Sequence, residues 1–369
     1  MRTARPHRLA PLAAALLTAC GAEAPTDADR SAGKPSFNSS HGPEWSAPVN
    51  LGPVVNSPSN DQNLGVSADQ LTLYFQSDRP GGIGGFDIWV TRRASPDSPW
   101  APPVNIGPPV NTPFLDGAPS LSADGHLLFI HSNRPGALGG IDIWVARRSG
   151  SKDEEDWETP VNLGADVNTT DDEQGPEYVA SDGGGALYFN RGNQTLQLSD
   201  LYRVEVNRDG RTQGPAEPVA ELNDPAFNDA APTLRADARE ILFWSTRPGG
   251  LGADIWQSTR QSANHPWTPP QNAGPLLNSP AAYFTPELTQ DALTLYLAST
   301  RPGGWGPPAP ERSCLGPRPR CACVMYKPLL IDCQARGDSR AANRPAVNRS
   351  RPGGSALRRG RRHRRASCI

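Results

Sequence analysis

The sequence predicts an all-β chain: a β-propeller of four-stranded blades, five-bladed with the last blade incomplete. Three observations predict it. A unit typified by Ser122 to Arg148, SADGHLLFIHSNRPGALGGIDIWVARR, occurs five times, with further copies starting at Ser67, Ser181, Arg235 and Thr289. The arginines that mark it, Arg79, Arg134, Arg191, Arg247 and Arg301, stand 55, 57, 56 and 54 residues apart. Within each period, short apolar or β-branched runs alternate with turn signals, four runs to a period, which is the pattern of a propeller blade.

Each run has a local reason. Leu71 to Phe75, or Leu127 to Ile130, is too short for a helix and suits a strand buried on both faces. Asp124-Gly125 supplies a hairpin turn, and Arg79-Pro80-Gly81-Gly82 places proline and glycine where a type II turn wants them. Asp87-Ile88-Trp89-Val90, Asp142-Ile143-Trp144-Val145 and Asp254-Ile255-Trp256 open the next strand with an aspartate followed by β-branched and aromatic residues. W-x-x-P-V-N announces a further strand at Trp45 to Asn50, Trp100 to Asn105 and Trp157 to Asn162, and Trp267 to Asn272 varies it. A blade buries its faces only against its neighbours, so residues 45–306 are expected to fold as one ring.

These S-A-D-G, L-Y-F, R-P-G-G and D-I-W pieces resemble the WD40-like propeller repeats of TolB-type bacterial envelope proteins. That resemblance implies a blade whose outermost strand is donated by the N-terminus, here Trp45 to Asn50, closing the ring with strands near Tyr283 to Leu288 and Leu293 to Ala298. TolB-type rings commonly have six blades, so a count of five departs from the pattern. Function does not follow from the likeness, because propellers host enzymes, scaffolds and sensors alike.

The flanks read differently. Residues 1–19 have Arg2, Arg5 and Arg8 before an apolar stretch from Leu9 to Leu17, a lipoprotein signal peptide too short to span a bilayer. Leu17-Thr18-Ala19-Cys20 resembles a lipobox, which implies lipidation of Cys20. Gly21 after it favours the outer membrane over the inner. Residues 20–44 form a flexible tether, about 27 Å in r.m.s. span for a coil of that length. Residues 307–369 break the repeat where another D-I-W strand is due. There fifteen Lys/Arg face two acidic residues from 312 onward, whereas residues 20–311 hold eighteen against thirty-six. Three readings of this tail stand: an out-of-frame or disordered segment, a basic arm around Arg358 to Arg365 for anionic membrane, and a metal site of Cys314, Cys321, Cys323 and Cys333. The cysteine spacing fits no common zinc pattern, and the missing strand favours the first.

Candidate site residues come in recurring sets. Arg79 and Asp87, Arg134 and Asp142, Arg191 and Asp200, and Arg247 and Asp254 flank the same loop seven to nine residues apart, and are expected to hold it closed by an ion pair or cap. Asp61, Asp116, Glu173 and Asp229, with Tyr283 in the fifth place, fall where chains enter the innermost strand. They are read either as turn residues or as an acidic collar binding a cation, basic peptide or polar ligand at the channel mouth. Asn56, Asn111, Asn168 and Asn278 recur nearby as turn residues. No G-x-S-x-G or H-E-x-x-H motif occurs, and His126, His131 and His265 do not recur. The expectation is therefore a monomeric, non-catalytic binding scaffold of the bacterial cell envelope, without metal or cofactor. It would contact envelope protein or glycan and take no nucleic acid. A propeller lyase or hydrolase with its site at the channel mouth is the alternative. A truncated sensor or peptidoglycan-associated protein is the third.

Overall fold

The computed structural model describes residues 45–148, 156–193, 198–250, 252–278, 283–300 and 329–334. Cys20, the leader, the tether to residue 44 and most of the tail lie outside these residues. So do Arg301 and the tail cysteines, apart from the backbone of Cys333. Among the described residues no helix is long and apolar enough to cross a membrane.

Four antiparallel four-stranded sheets follow one another along the chain. Blade 1 is β2 (Asp61–Val66), β3 (Thr72–Ser77), β4 (Asp87–Arg92) and β5 (Val104–Asn105). Blade 2 is β6 (Asp116–Leu121), β7 (Leu127–Ser132), β8 (Asp142–Arg147) and β9 (Val161–Asn162). Blade 3 is β10 (Asp172–Ser181), β11 (Gly184–Asn193), β12 (Leu198–Asn207) and β13 (Glu217–Pro218). Blade 4 is β14 (Asp229–Leu234), β15 (Glu240–Ser245), β16 (Asp254–Thr259) and β17 (Gln271–Asn272). The first three strands of blade 3 run ten residues where the corresponding strands of the other blades run six.

A further sheet joins both ends of the described chain. Its order is β18 (Tyr283–Leu288), β19 (Thr294–Ser299), β20 (Leu329–Gln334) and β1 (Val49–Asn50). The N-terminal strand is thus donated as the repeat implied, but it pairs with β20 rather than with β19. Val49 stands opposite Asp332, and Leu295 opposite Cys333. The tail segment L-L-I-D-C-Q takes the place that a D-I-W strand holds elsewhere. It escapes a search for the motif because its Ile331-Asp332 stand in reverse order, no tryptophan follows, and the segment comes after an insertion.

Burial holds the sheets face to face. Leu64, Phe75 and Trp89 of blade 1 pack with Tyr296 and Ala298 of β19 on one side. On the other, Tyr74, Ile88 and Val90 meet Leu128, Ile130 and Trp144 of blade 2. Equivalent apolar seams join blades 2 and 3 through Phe129 and Phe189, blades 3 and 4 through Tyr188 and Phe243, and blade 4 and β18–β19 through Ile255 and Leu297. The innermost strands β2, β6, β10, β14 and β18 each carry a bulge after their second or third residue. At that bulge Asn63, Ala118, Gly175, Ala231 and Thr285 all adopt positive φ, between 41° and 59°. This turns the same few residues of every blade toward the axis.

Candidate functional site

The marker arginines do not pair with the aspartates of their own loop. Arg79 binds Asp61 and Arg134 binds Asp116 at 2.6 Å, and Arg191 binds Glu173 and Arg247 binds Asp229 at 2.7 Å. Each arginine also donates to a carbonyl of the turn before the inner strand: Val55, Val110, Val167 and Leu222. The carboxylates take further bonds from that turn, from the backbone N–H of Ser57, Thr112, Thr169 and Asp224. Arg79 and Arg134 lie near the rings of Trp89 and Trp144, which D-I-W supplies. The four acids are fully buried, so they are structural latches rather than an open collar. Burial pushes Asp229 up to about 6 and raises Glu173 even with an arginine beside each.

The second set acts as caps. Asp87 accepts the N–H groups of Ile83 and Gly84, and Asp142 those of Leu138 and Gly139, so each aspartate closes its own glycine-rich loop. Asp87, Asp142 and Asp254 also accept the side-chain N–H of Asn105, Asn162 and Asn272. Asp200 instead sits opposite Arg191 across β11 and β12. Asn111 and Asn168 are more than turn residues. Each bonds both the N–H and the carbonyl of Ile88 or Ile143, as does Asn278 with Ile255. Asn223 does the same for Leu201 in blade 3. Tyr283 opens β18, and its side chain lies outside the description.

The sequence reading missed the residues that line the channel. Two positions beyond the bulge, the inner strands carry Gly65, Ser120, Glu177, Thr233 and Glu287 in blade order. Four of these side chains accept a backbone N–H from the adjoining inner strand: Ser120 from Tyr178, Glu177 from Leu234, Thr233 from Leu288 and Glu287 from Val66. At Gly65 the backbone comes too close for a side chain, since a Cβ would lie 2.2 Å from the Pro119 carbonyl. The ring therefore stitches inner strand to inner strand, and two of its five members are glutamates. Their signal was Pro176-Glu177 and Pro286-Glu287, standing where two other copies read Pro119-Ser120 and Pro232-Thr233 and the first reads Leu64-Gly65.

Glu177 and Glu287 differ from the other buried acids. Among the described residues neither has an arginine or lysine partner. Glu177 takes only neutral donors, the Leu234 N–H and the hydroxyls of Ser120 and Thr233. Burial raises Glu177 to about 7 against those bonds. Burial raises Glu287 well above the carboxylate range, and the neighbouring Glu177 charge raises it further. Both line a cavity of about 50 Å³ at the channel's lower mouth, together with Ser120, Tyr178 and Gln290. The two carboxyls are coupled, and the charge of Glu177 opposes ionisation of Glu287.

At the opposite mouth lies the larger cavity, about 300 Å³, against blades 3 and 4. Its floor is the bulge ring of Asn63, Gly175, Ala231 and Thr285. Its walls include His131, Asn190, Asn228 and Trp244, with Gly192 and Ser199 from the lengthened strands of blade 3. Two strand positions, about 7 Å, separate this floor from the glutamate level.

No protein-family model matches the sequence, and no curated protein matches it. Solved structures do match in fold. An α-L-arabinofuranosidase from Lactobacillus brevis shares 11% identity over 78% of this chain and 92% of its own, at a TM-score of 0.50. The catalytic domain of a Coprinopsis cinerea GH62 α-L-arabinofuranosidase shares 12% over 79% and 97%, again at 0.50. TolB from Agrobacterium tumefaciens is looser, at 0.42 with 17% identity over 69% and 78%. These comparisons correct the expectation of a non-catalytic scaffold. That expectation rested on missing sequence motifs such as G-x-S-x-G, yet the fold is one on which arabinofuranosidases are built.

Proposed function

We propose that the chain is a glycan-acting propeller enzyme, a hydrolase working at its central channel with Glu177 and Glu287 as the acid–base pair. The observation that carries this is the pair itself: two buried carboxyls with no cationic partner among the described residues, both raised by burial and facing one cavity. Catalytic acids and bases need such tuning, and purely structural carboxylates here are paired or used as caps. In hydrolysis the protonated carboxyl gives its proton to the departing glycosidic oxygen. The ionised one takes a proton from the water whose oxygen bonds the anomeric carbon. A cavity of about 50 Å³ beside the pair has room for that water. The arabinofuranosidases of like fold support the substrate class.

The test is release of reducing sugar by the purified chain from arabinan, xylan, galactan and peptidoglycan. Activity on at least one is expected, with a loss of about 100-fold or more in Glu177→Gln and in Glu287→Gln. Silence on every polymer, or full activity in both variants, ends this reading. We further propose that the sheet of β18, β19, β20 and β1 is a fifth blade that closes the ring, supported by its apolar seams with blades 4 and 1. The Leu17 to Cys20 motif supports a lipid-anchored place in the bacterial envelope.

A further inference from the structure

The repeat itself separates residues that hold the fold from residues that vary for another reason. At the last position of the second strand, four copies carry the same side chain: Ser77, Ser132, Ser245 and Ser299. One residue before that point the five copies carry five different ones, Gln76, His131, Asn190, Trp244 and Ala298, each paired to the inner-strand residue just before the bulge. Gln76 and Asn190 each accept the N–H of the next blade's bulge residue, Ala118 and Ala231, but no single side chain is required at this position in all five copies. Three of the five, His131, Asn190 and Trp244, line the 300 Å³ cavity.

The cavity's lining carries no lysine or arginine and is two-sided in its hydrogen bonding. His131 is 5% exposed, and its Nε2 faces Gln76 Oε1 at 3.1 Å. That oxygen also accepts the Ala118 N–H, which fixes it as an acceptor, so Nε2 carries the proton and Nδ1 is a bare lone pair. Burial lowers the histidine to about 4, so it stays uncharged. Nδ1 has no hydrogen-bond partner, and neither does the indole Nε1 of Trp244. One is a stranded acceptor and the other a stranded donor. Around them stand side-chain amides and hydroxyls, Gly and Ala surfaces and the indole. The one charged lining residue, Asp172, already accepts the Ile141 N–H at 2.8 Å.

We infer that this mouth of the channel is a binding site for a neutral sugar residue. A sugar's hydroxyls both donate and accept, the two roles that the stranded acceptor and the stranded donor call for, and the indole offers an apolar face for the ring's C–H groups. About 300 Å³ suits one or two rings. With no lysine or arginine in the lining, a uronate or sugar phosphate would leave its charge unpaired. The inference rests on the glycan reading above and narrows it to uncharged pentose or hexose units.

The experiment is titration calorimetry on the full chain with arabinotriose, xylotriose and galactotriose, and with trigalacturonic acid as the charged control. At least one neutral trisaccharide is expected to bind, and the uronate at least tenfold more weakly. Trp244→Phe, which keeps the ring and loses the N–H, and Asn228→Ala at the partly exposed rim should each weaken binding tenfold or more. Thermal melts on both variants report the fold. Failure of every neutral sugar, equal binding of the uronate, or unchanged affinity in both folded variants overturns the inference. Binding is read without turnover, so a chain that binds but never cleaves defeats the hydrolase reading and leaves this one. A chain that cleaves neutral glycan undisturbed by Trp244→Phe and Asn228→Ala does the reverse.

Discussion

At the scale of single residues, what distinguishes one buried carboxylate from another is its partner. Asp116 is fully buried against Arg134, itself 7% exposed, with Ser132 and Thr112 completing its shell. Removing one partner strands the other charge in the interior, so Asp116→Asn is expected to cost about 3–5 kcal/mol. In urea the midpoint should fall with the slope unchanged. Replacing both partners by Leu and Met should recover much of that loss, since two apolar groups leave no charge unpaired. Glu177 and Glu287 present the opposite case. Their folded pKa values lie above the unfolded ones, so their favourable contribution is complete below about pH 4.5. For Glu177 it is lost as pH rises through about 7, and the raised Glu287 loses its share in the same direction. The melting temperature of the wild type should therefore fall between pH 5 and pH 8. The Glu177→Gln/Glu287→Gln double variant should show a flatter profile and a higher value at pH 8, measured by scanning calorimetry. Lost turnover together with gained stability would mark the pair as kept for function.

At the scale of elements, the sequence was legible wherever a feature recurs. The D-I-W strands begin at Asp87, Asp142 and Asp254, and the P-V-N strands fall at Val104–Asn105 and Val161–Asn162, where the motif put them. The tryptophan of that motif has a physical reason too. Trp100, Trp157 and Trp267 each lie under an arginine, Arg93, Arg148 and Arg260, within 4.2 Å. Partner choice was harder. Arg79 is eight residues from Asp87 and eighteen from Asp61, yet the β2–β3 hairpin sets Asp61 opposite Ser77 and within the arginine's reach. Glu177 and Glu287 were invisible for a different reason: a search for five-fold recurrence discards whatever occurs in only two copies. The asparagines show how a side chain finishes a strand. Asn111 bonds both backbone groups of Ile88 at 2.9 Å, in place of a longer outer strand. Asn111→Ala leaves both groups without that partner at a buried position, an expected cost of about 2–3 kcal/mol. Hydrogen exchange should show the Ile88 amide losing protection before its neighbours in β4.

At the scale of the whole molecule, closure is the question that decides stability, because a propeller sheet is covered only by the sheets beside it. The outer edge of β19 pairs along its whole length with β20, from Thr294 opposite Gln334 to Ser299 opposite Leu329, and β1 pairs with β20 in turn. Without β20, alternate residues of β19, those not bonded to β18, would present unpaired N–H and carbonyl groups. Val49–Asn50 would also lose its only strand partner among the described residues. Open edges of that kind recruit other chains. A chain ended after residue 328 is therefore expected to melt several degrees lower than one ended after residue 336, and to elute partly as oligomer in size-exclusion chromatography. The comparison isolates β20, because the two differ by eight residues and both lack the arginine-rich segment from 358 to 365. Equal melting and equal monomer content would show that the ring closes without Leu329–Gln334, with the N-terminal strand free to pair directly with β19. A clear difference would make the segment after the break in the repeat part of the propeller, and would place the stability of Glu287, carried on the neighbouring β18, under the control of the chain's far end.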